Sequence, residues 1–276
     1  MLRIGWFSTG RGEGSRGLLR FVQDRILRGQ LDAQIQFVFS NRAPGEVEGS
    51  DEYFRLVTGY DIPLHTLSSN HFRRIRGGSL ASRREEFDRQ VMTLLGDYQM
   101  DVCVLAGYML IVGGAMCRQY SLLNLHPALP DGPIGTWQEV IWALIEQRAS
   151  HTGAMTHLAT EDVDRGPVVS YCTASIAGGE FGAHWDELEQ LDLGLVKSSS
   201  GEAYPLFQLI RQAEYRREPH LLLETLRVLA EGNLAIRGLE VLDSSGQPLT
   251  RSAPRGLCLD PAIERAMAED AAEQSN

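Results

Sequence analysis

Lysine is almost absent from this sequence. Of 26 Lys and Arg residues only Lys197 is a lysine, so a phosphate or carboxylate held by a side-chain cation would meet a guanidinium. Positive charge is in deficit as well. The 36 Asp and Glu residues leave a formal net charge of -10, which argues against the basic stripe that a nucleic-acid partner needs. One local basic pocket is still compatible, because the arginines are clustered. Four cysteines (Cys103, Cys117, Cys172 and Cys258) lie far apart and form no CxxC pair. That spacing excludes a disulfide framework and fits a reducing compartment. Cys103, inside VCVLAG, reads as a small buried hydrophobe. No apolar run reaches the length of a membrane span. The opening MLRIGWFSTG goes directly into a strand pattern, without a charged region followed by a long apolar one. The expectation is a cytoplasmic protein with no membrane partner.

What is present is alternation. LRIGWFST and DVCVLAGY are short continuous apolar runs, as expected of strands covered on both faces. AQIQFVFSN, IPLHTLSS, SLLNLH, HTGAMTHLAT and VVSYCTASI complete the strand candidates. Between them, GSRGLLRFVQDRILRG, SRREEFDRQVMTLLGDY and WQEVIWALIEQR carry apolar residues at helical spacing. Strand-helix-strand order predicts an α/β fold with a mainly parallel twisted sheet flanked by helices. At 276 residues the chain suits one large domain with additions, here residues 1–250 with a C-terminal tail over 251–276. Residues 177–203 read as a long loop with one helical turn. Pro219 should break or kink the helix around it. LEVLDSSGQPLT resembles a hairpin, and the last segment reads as a loose helix or tail.

Chemistry in such folds collects at the carboxyl ends of strands. LLNLHPALP places Asn124 and His126 two residues apart, hence on one side of a strand, just before a proline ends it. HLATEDVDRGPVV places Asp164 in a turn closed by Gly166 and Pro167. An Asp beside a His can keep it protonated or pass a proton. An Asn amide can donate to a developing oxyanion. With no nucleophilic Ser or Cys adjacent, the set suggests direct transfer between two bound substrates. Metal ligation by His126, His157 and Asp164 is disfavoured, since no HxH or HxxxH pair exists, and no metal is expected. STGRGEGSRG follows a strand and opens a helix, so Gly12, Gly14 and Ser15 suit an anion. The loop lacks the Lys-Ser/Thr of a nucleotide P-loop, and Asn41-Arg42 end the second strand where a dinucleotide site would want an acid. A phosphate on a small substrate fits better than NAD; a flexible turn is the plain alternative.

At these residues the chain resembles the glycinamide ribonucleotide formyltransferases. The likeness rests on NLHPALP and HTGAMTHLATEDVDRGPVV, with GEGSRGLL, FVFSN, SRREEFDRQ, VLAGYMLIV and QAEYRREPHLLLETLRVLAEGNLAI in support. It covers roughly residues 2–176 and 203–250. The resemblance implies the formyltransferase fold, which is Rossmann-like, and 10-formyltetrahydrofolate as co-substrate. It implies that Asn124, His126 and Asp164 are catalytic. It implies that Gly12, Gly14 and Ser15 hold the phosphate of a phosphorylated ribose amine and Glu214 its ribose hydroxyls. Arg84, Met109, Ile111 and Val112 would face the folate. A homodimer is compatible with the family.

The chain departs from that family at several positions. Arg16 stands where Asn is usual, and Leu110 replaces the Arg that meets the folate glutamate. Tyr215 replaces a His, HPALP is one residue short, and 177–203 is an insertion. The acceptor therefore stays open. The first reading is transfer of the formyl group to the amine of glycinamide ribonucleotide or a close relative of it. Transfer to another amine, such as an amino sugar, and hydrolysis of formyltetrahydrofolate stay open. Retention of all three polar residues argues against a non-catalytic protein that binds folate or a nucleotide, since an unused triad is costly to bury unpaired.

Overall fold

The structure is a computed structural model that describes residues 1–274. In chain order its elements are β1 (Leu2–Phe7), α1 (Glu13–Leu27), β2 (Ala33–Ser40), α2 (Glu48–Gly59), β3 (Leu64–Thr66), α3 (Ser69–Arg76), α4 (Arg84–Leu94), β4 (Val102–Leu105), α5 (Gly114–Gln119) and β5 (Leu122–His126). The remainder runs α6 (Trp137–Glu146), β6 (His151–Leu158), β7 (Val168–Ser175), α7 (Gly179–Leu188), α8 (Leu193–Ser199), α9 (Pro205–Ala230), β8 (Leu234–Arg237), β9 (Glu240–Asp243), β10 (Leu257–Cys258) and α10 (Asp260–Gln274). The chain divides into two compact units. The first holds Met1–Leu125, His157–Pro167 and Leu226–Ser252; the second holds His126–Thr156, Val168–Thr225 and the chain from Ala253.

In the first unit the strands run β5-β4-β1-β2-β3, all parallel in their pairings. β1 and β4 are buried along nearly their whole length, which is why they read as continuous apolar runs. β2, whose sequence alternates, exposes Gln34 and is buried from Phe37 to Ser40. The register aligns Phe7 with Phe39 and with Leu105, and Leu105 with Asn124. Four carboxyl ends therefore finish at one level, where their loops meet. Phe7, Phe37, Phe39, Phe87, Val91, Leu105 and Val112 form the core beneath. α2 opens on EGSD, with Glu48 and Asp51 in its first turn. It is fixed by burial of Tyr53, Phe54 and Val57. β8 and β9 form a separate antiparallel hairpin, and Ser244–Gly246 make a second turn closed by Asp243 N–H to Gln247 O at 2.8 Å.

In the second unit the strands run β10-β7-β6, with β10 parallel to β7. Residues 177–203 are not the long loop expected from their Gly, Ser and acidic content. They form α7 and α8, because Phe181, Leu188 and Val196 are buried with Val140, Ile141, Leu144 and Phe207 in one apolar cluster. Lys197 holds this insertion to α6, its ammonium paired with Glu146 and 5.2 Å above the Trp142 ring. α9 also differs from expectation, running unbroken through Pro219. A proline inside a helix costs roughly 3 kcal/mol. Leu221, Leu222, Leu223 and Leu226, all at most 2% exposed, offset it by burial. The C-terminal segment is likewise ordered rather than loose. Asp260 accepts from both the backbone N–H and the hydroxyl of Thr173 at 2.6 Å, and Arg217 pairs with Glu264 at 2.6 Å.

Candidate functional site

Asn124 stands at the level where the strands of the first unit end, and two side chains from the His157–Pro167 segment converge on it. Its amide Nδ2 lies 3.0 Å from His157 Nε2 and 3.4 Å from Asp164 Oδ1. His157 Nε2 is 3.5 Å from the same carboxylate oxygen. The imidazole Nδ1 is 3.1 Å from the Leu158 carbonyl, and a proton there leaves Nε2 free to accept from Asn124. The ring is almost wholly buried and the carboxylate is 19% exposed, so Asp164 keeps a wet edge. Asp164 takes a positive φ of 56°, a conformation that Asp tolerates better than most residues. The turn around it needs a glycine at 166, where a Cβ would lie 1.7 Å from the Leu158 carbonyl oxygen. Leu158 N–H to Pro167 O at 2.9 Å and Ala159 N–H to Leu122 O at 2.8 Å tie the turn to its strands. The sequence pattern joins Asn124 to Asp164, whereas His157 stands out in it only as a disfavoured metal ligand. Among the described residues no group of three or more His, Cys, Asp or Glu side chains could hold a metal ion.

The glycine loop crosses the same strand ends. Gly10, at φ 67°, lies directly on the Tyr53 ring. Gly12 is the residue before α1 and has extended backbone, and no side chain caps the helix. Space beside Gly12 is open to 4 Å. Gly14 and Ser15 follow in the first turn, half-buried. A helix start without a side-chain cap offers backbone N–H groups to an anion. Arg16 is occupied: it pairs with Glu52 at 2.6 Å and with Glu13 at 3.0 Å.

Between β4 and α5, residues 107–113 pass the glycine loop. Met109 and Ile111 are 70% and 48% exposed, while Val112 is buried and Leu110 packs onto the core. The segment ends at Gly113, whose N–H donates to Asp88 of α4 at 2.6 Å. Asp88 is 3% exposed. Burial pushes its carboxyl up to about 6; Glu85 adds to the rise, while the Gly113 bond and Arg84 oppose it. A cavity of about 460 Å³ adjoins, lined by Arg83, Arg84, Arg89, Val112, Gly113 and Glu161 among others. Arg83 is paired with Glu86; Arg84 has no ion pair among the described residues.

Two expected site residues belong to the second unit. His126 is the last residue of β5 and is 5% exposed. Glu214, on α9, is wholly buried and accepts from the Thr152 hydroxyl at 2.6 Å. Burial raises its carboxyl to about 8, against the lowering effects of Thr152 and Arg211. The Arg211 guanidinium lies 3.8 Å from it and stacks over Trp137 and Tyr215.

With this geometry in hand, the family described as formyl transferase matches residues 12–180, more than half of the chain. The phosphoribosylglycinamide formyltransferase of Escherichia coli (strain K12) is 29% identical over 175 residues, 61% of this chain and 72% of that protein. The formyltetrahydrofolate deformylase of Bacillus subtilis (strain 168) is 28% identical over 143 residues, 51% of this chain and 41% of its own length. Among solved structures, the phosphoribosylglycinamide formyltransferase of Coxiella burnetii in complex with CHES superposes with a TM-score of 0.67. It is 22% identical, covering 93% of this chain and 98% of that one. That likeness shows the fold, a mostly parallel sheet flanked by helices.

Proposed function

Because the chain belongs to the formyl transferase family, we propose that it moves a formyl group from 10-formyltetrahydrofolate to the amine of glycinamide ribonucleotide, a step of purine biosynthesis. It is a formyltransferase enzyme. The observation that carries the reading is the placement of Asn124, with Asp164 3.4 Å away, at the level where the glycine loop and residues 107–113 leave their strands. That arrangement offers one place for a phosphate, one for a flat apolar ligand, and polar groups at the strand ends.

The residues divide the work as follows. Gly12, Gly14 and Ser15 hold the acceptor phosphate through backbone N–H groups at the start of α1. Glu214 serves the ribose hydroxyls. Met109, Ile111 and Val112 face the folate, and Arg84 meets its glutamate. The attacking amine forms a bond to the formyl carbon, and the bond from that carbon to the folate nitrogen breaks. Asn124 donates its amide hydrogen to the oxygen that gains charge, and a protonated His126 shares the task. Asp164 takes the proton that the amine loses and returns one to the departing folate nitrogen. His157 holds the Asn124 amide in place.

One observation favours a second reading, hydrolysis of the formyl-folate. The Glu214 carboxylate is wholly buried and already accepts from Thr152, which fits an enzyme that needs no ribose. Water would then replace the amine. The test is purified protein with 10-formyltetrahydrofolate, measuring tetrahydrofolate and formate with and without glycinamide ribonucleotide or an amino sugar. Turnover that requires glycinamide ribonucleotide supports the reading. Formate release at one rate regardless of amine replaces it by the hydrolase. Turnover with the amino sugar alone moves the acceptor.

A further inference from the structure

The glycine loop and residues 107–113 do not merely lie side by side; one buried threonine joins them. Thr9 is 1% exposed and has every backbone and hydroxyl group engaged. Its N–H donates to Gly107 O at 3.1 Å. Its hydroxyl oxygen accepts from Met109 N–H at 2.9 Å and donates to Asn41 Oδ1 at 2.8 Å. Its carbonyl accepts from the Ser50 hydroxyl at 3.2 Å. Asn41 continues the chain to Ser69 Oγ at 3.1 Å, at the start of α3. The contact is made closer by Gly107, at φ 68°, where a Cβ would lie 2.6 Å from Ser15 Oγ. Ser15 is itself one of the residues assigned to the phosphate, and Met109 one of those assigned to the folate.

We propose that Thr9 is a positioning residue that couples the two substrate sites, so that each substrate tightens the binding of the other. The proposal rests on the assignment of the glycine loop to phosphate and of residues 107–112 to folate. Its physical content is simple. Folate against Met109 and Ile111 restricts a segment that is otherwise exposed at those side chains. That segment is bonded at Gly107 and Met109 to the residue immediately before Gly10. A glycine loop with less freedom has less left to lose when the phosphate binds. Because Thr9 is buried, no water can substitute for the hydroxyl if it is removed, and Met109 N–H and Asn41 Oδ1 lose their partner together. The coupling must be reciprocal: whatever factor folate adds to acceptor affinity, acceptor adds to folate affinity.

The experiment uses an unreactive pair, tetrahydrofolate and glycinamide ribonucleotide, each titrated calorimetrically into the full chain with and without the other. In the parent, each affinity should rise by roughly five- to twentyfold when the partner is present, within the usual span of coupling between sites. Thr9→Val keeps the shape and removes the hydroxyl. It should bring both factors down to about one, and it should weaken the ternary complex more than either binary one. Thr9→Ser keeps the hydroxyl and should keep the parent factors. Thr9→Ala takes the place of the Val variant if melting shows that the latter is unfolded. Coupling absent in the parent, or undiminished without the hydroxyl, overturns the proposal while leaving the substrate assignment intact. Failure of the parent to bind either compound overturns the assignment and the proposal together.

Discussion

Asn124 directs its amide nitrogen at His157 Nε2, 3.0 Å away, across 33 residues of sequence. The amide that would meet the reacting oxygen is therefore not free to rotate. A donor held in place before the reaction costs no reorganisation during it.

That relationship predicts an unequal pair of variants. Removing one oxyanion donor costs about 10²–10³ in kcat, so Asn124→Ala should fall in that range. His157→Ala leaves the donor but frees its rotation, and should lose roughly ten- to a hundredfold in kcat with little change in KM. Steady-state kinetics of both variants provide the measurement. An unchanged kcat in His157→Ala would remove its orienting role.

The Asp164 carboxylate is assigned the proton of the attacking amine. Asp164→Asn keeps the side-chain shape and the positive φ that Asn also accepts, so the fold should survive. Loss of a proton-transferring group should lower kcat/KM by about 10²–10⁴. His126→Ala should fall at least about a hundredfold. Parent-like turnover of formyl-folate by both proteins would show that the constellation has been misassigned.

Much of the first unit was legible because its strands are covered on both faces and their composition says so. β1, β4 and the Asn124 strand end are examples. Long-range pairing was not legible. His157 sits in a strand whose sequence alternates but which is buried from Thr152 to Leu158, and only the fold brings it to Asn124. Asp88 is adjacent to Phe87 on an otherwise ordinary amphipathic helix, and nothing local says that its carboxylate will cap Gly113. The helices of the insertion are illegible for the same reason. GGEFGA and SSSGEA look like loop, and the burial of Phe181, Leu188 and Val196 that makes them helical is decided by residues of α6 and α9. Thr9 offers no pattern at all, since its four bonds go to three separate segments.

The cavity beside Arg84 bears on the folate tail. Leu110 packs on the core, so under the proposed function Arg84 is the residue that would meet a glutamate carboxylate. It is half-buried at the edge of the cavity, and an exposed ion pair is worth at most about 1 kcal/mol and falls with salt. Arg84→Ala should weaken tetrahydrofolate binding only a few-fold, and less so in high salt. A loss above about a hundredfold would exceed what such a pair can supply and would place the tail in a buried site.

The two buried carboxyls give the fold a definite response to pH. Asp88 is raised from 3.8 to about 6 and Glu214 from 4.5 to about 8, each chiefly by burial. A carboxyl whose folded value is raised holds its proton more tightly in the folded chain than in the unfolded one. Between the two values the folded state binds more protons, so stability falls as pH rises. The Asp88 contribution is full below about pH 4 and is lost by about pH 6; that of Glu214 is full below about pH 4.5 and is lost by about pH 8. For Asp88 the difference is on the order of 3 kcal/mol. Asp88→Asn can still accept from Gly113 N–H through its amide oxygen, and Glu214→Gln can still accept from Thr152. Neither replacement ionises. Urea unfolding at pH 5, 6.5 and 8 should therefore show the parent weakening across the whole range. Asp88→Asn should flatten the change between pH 5 and 6.5, and Glu214→Gln the change between pH 6.5 and 8. If the Glu214→Gln profile parallels the parent above pH 6.5, the carboxylate is not titrating there. It would then be ionised in the folded protein, held by Arg211 more strongly than the 3.8 Å separation suggests.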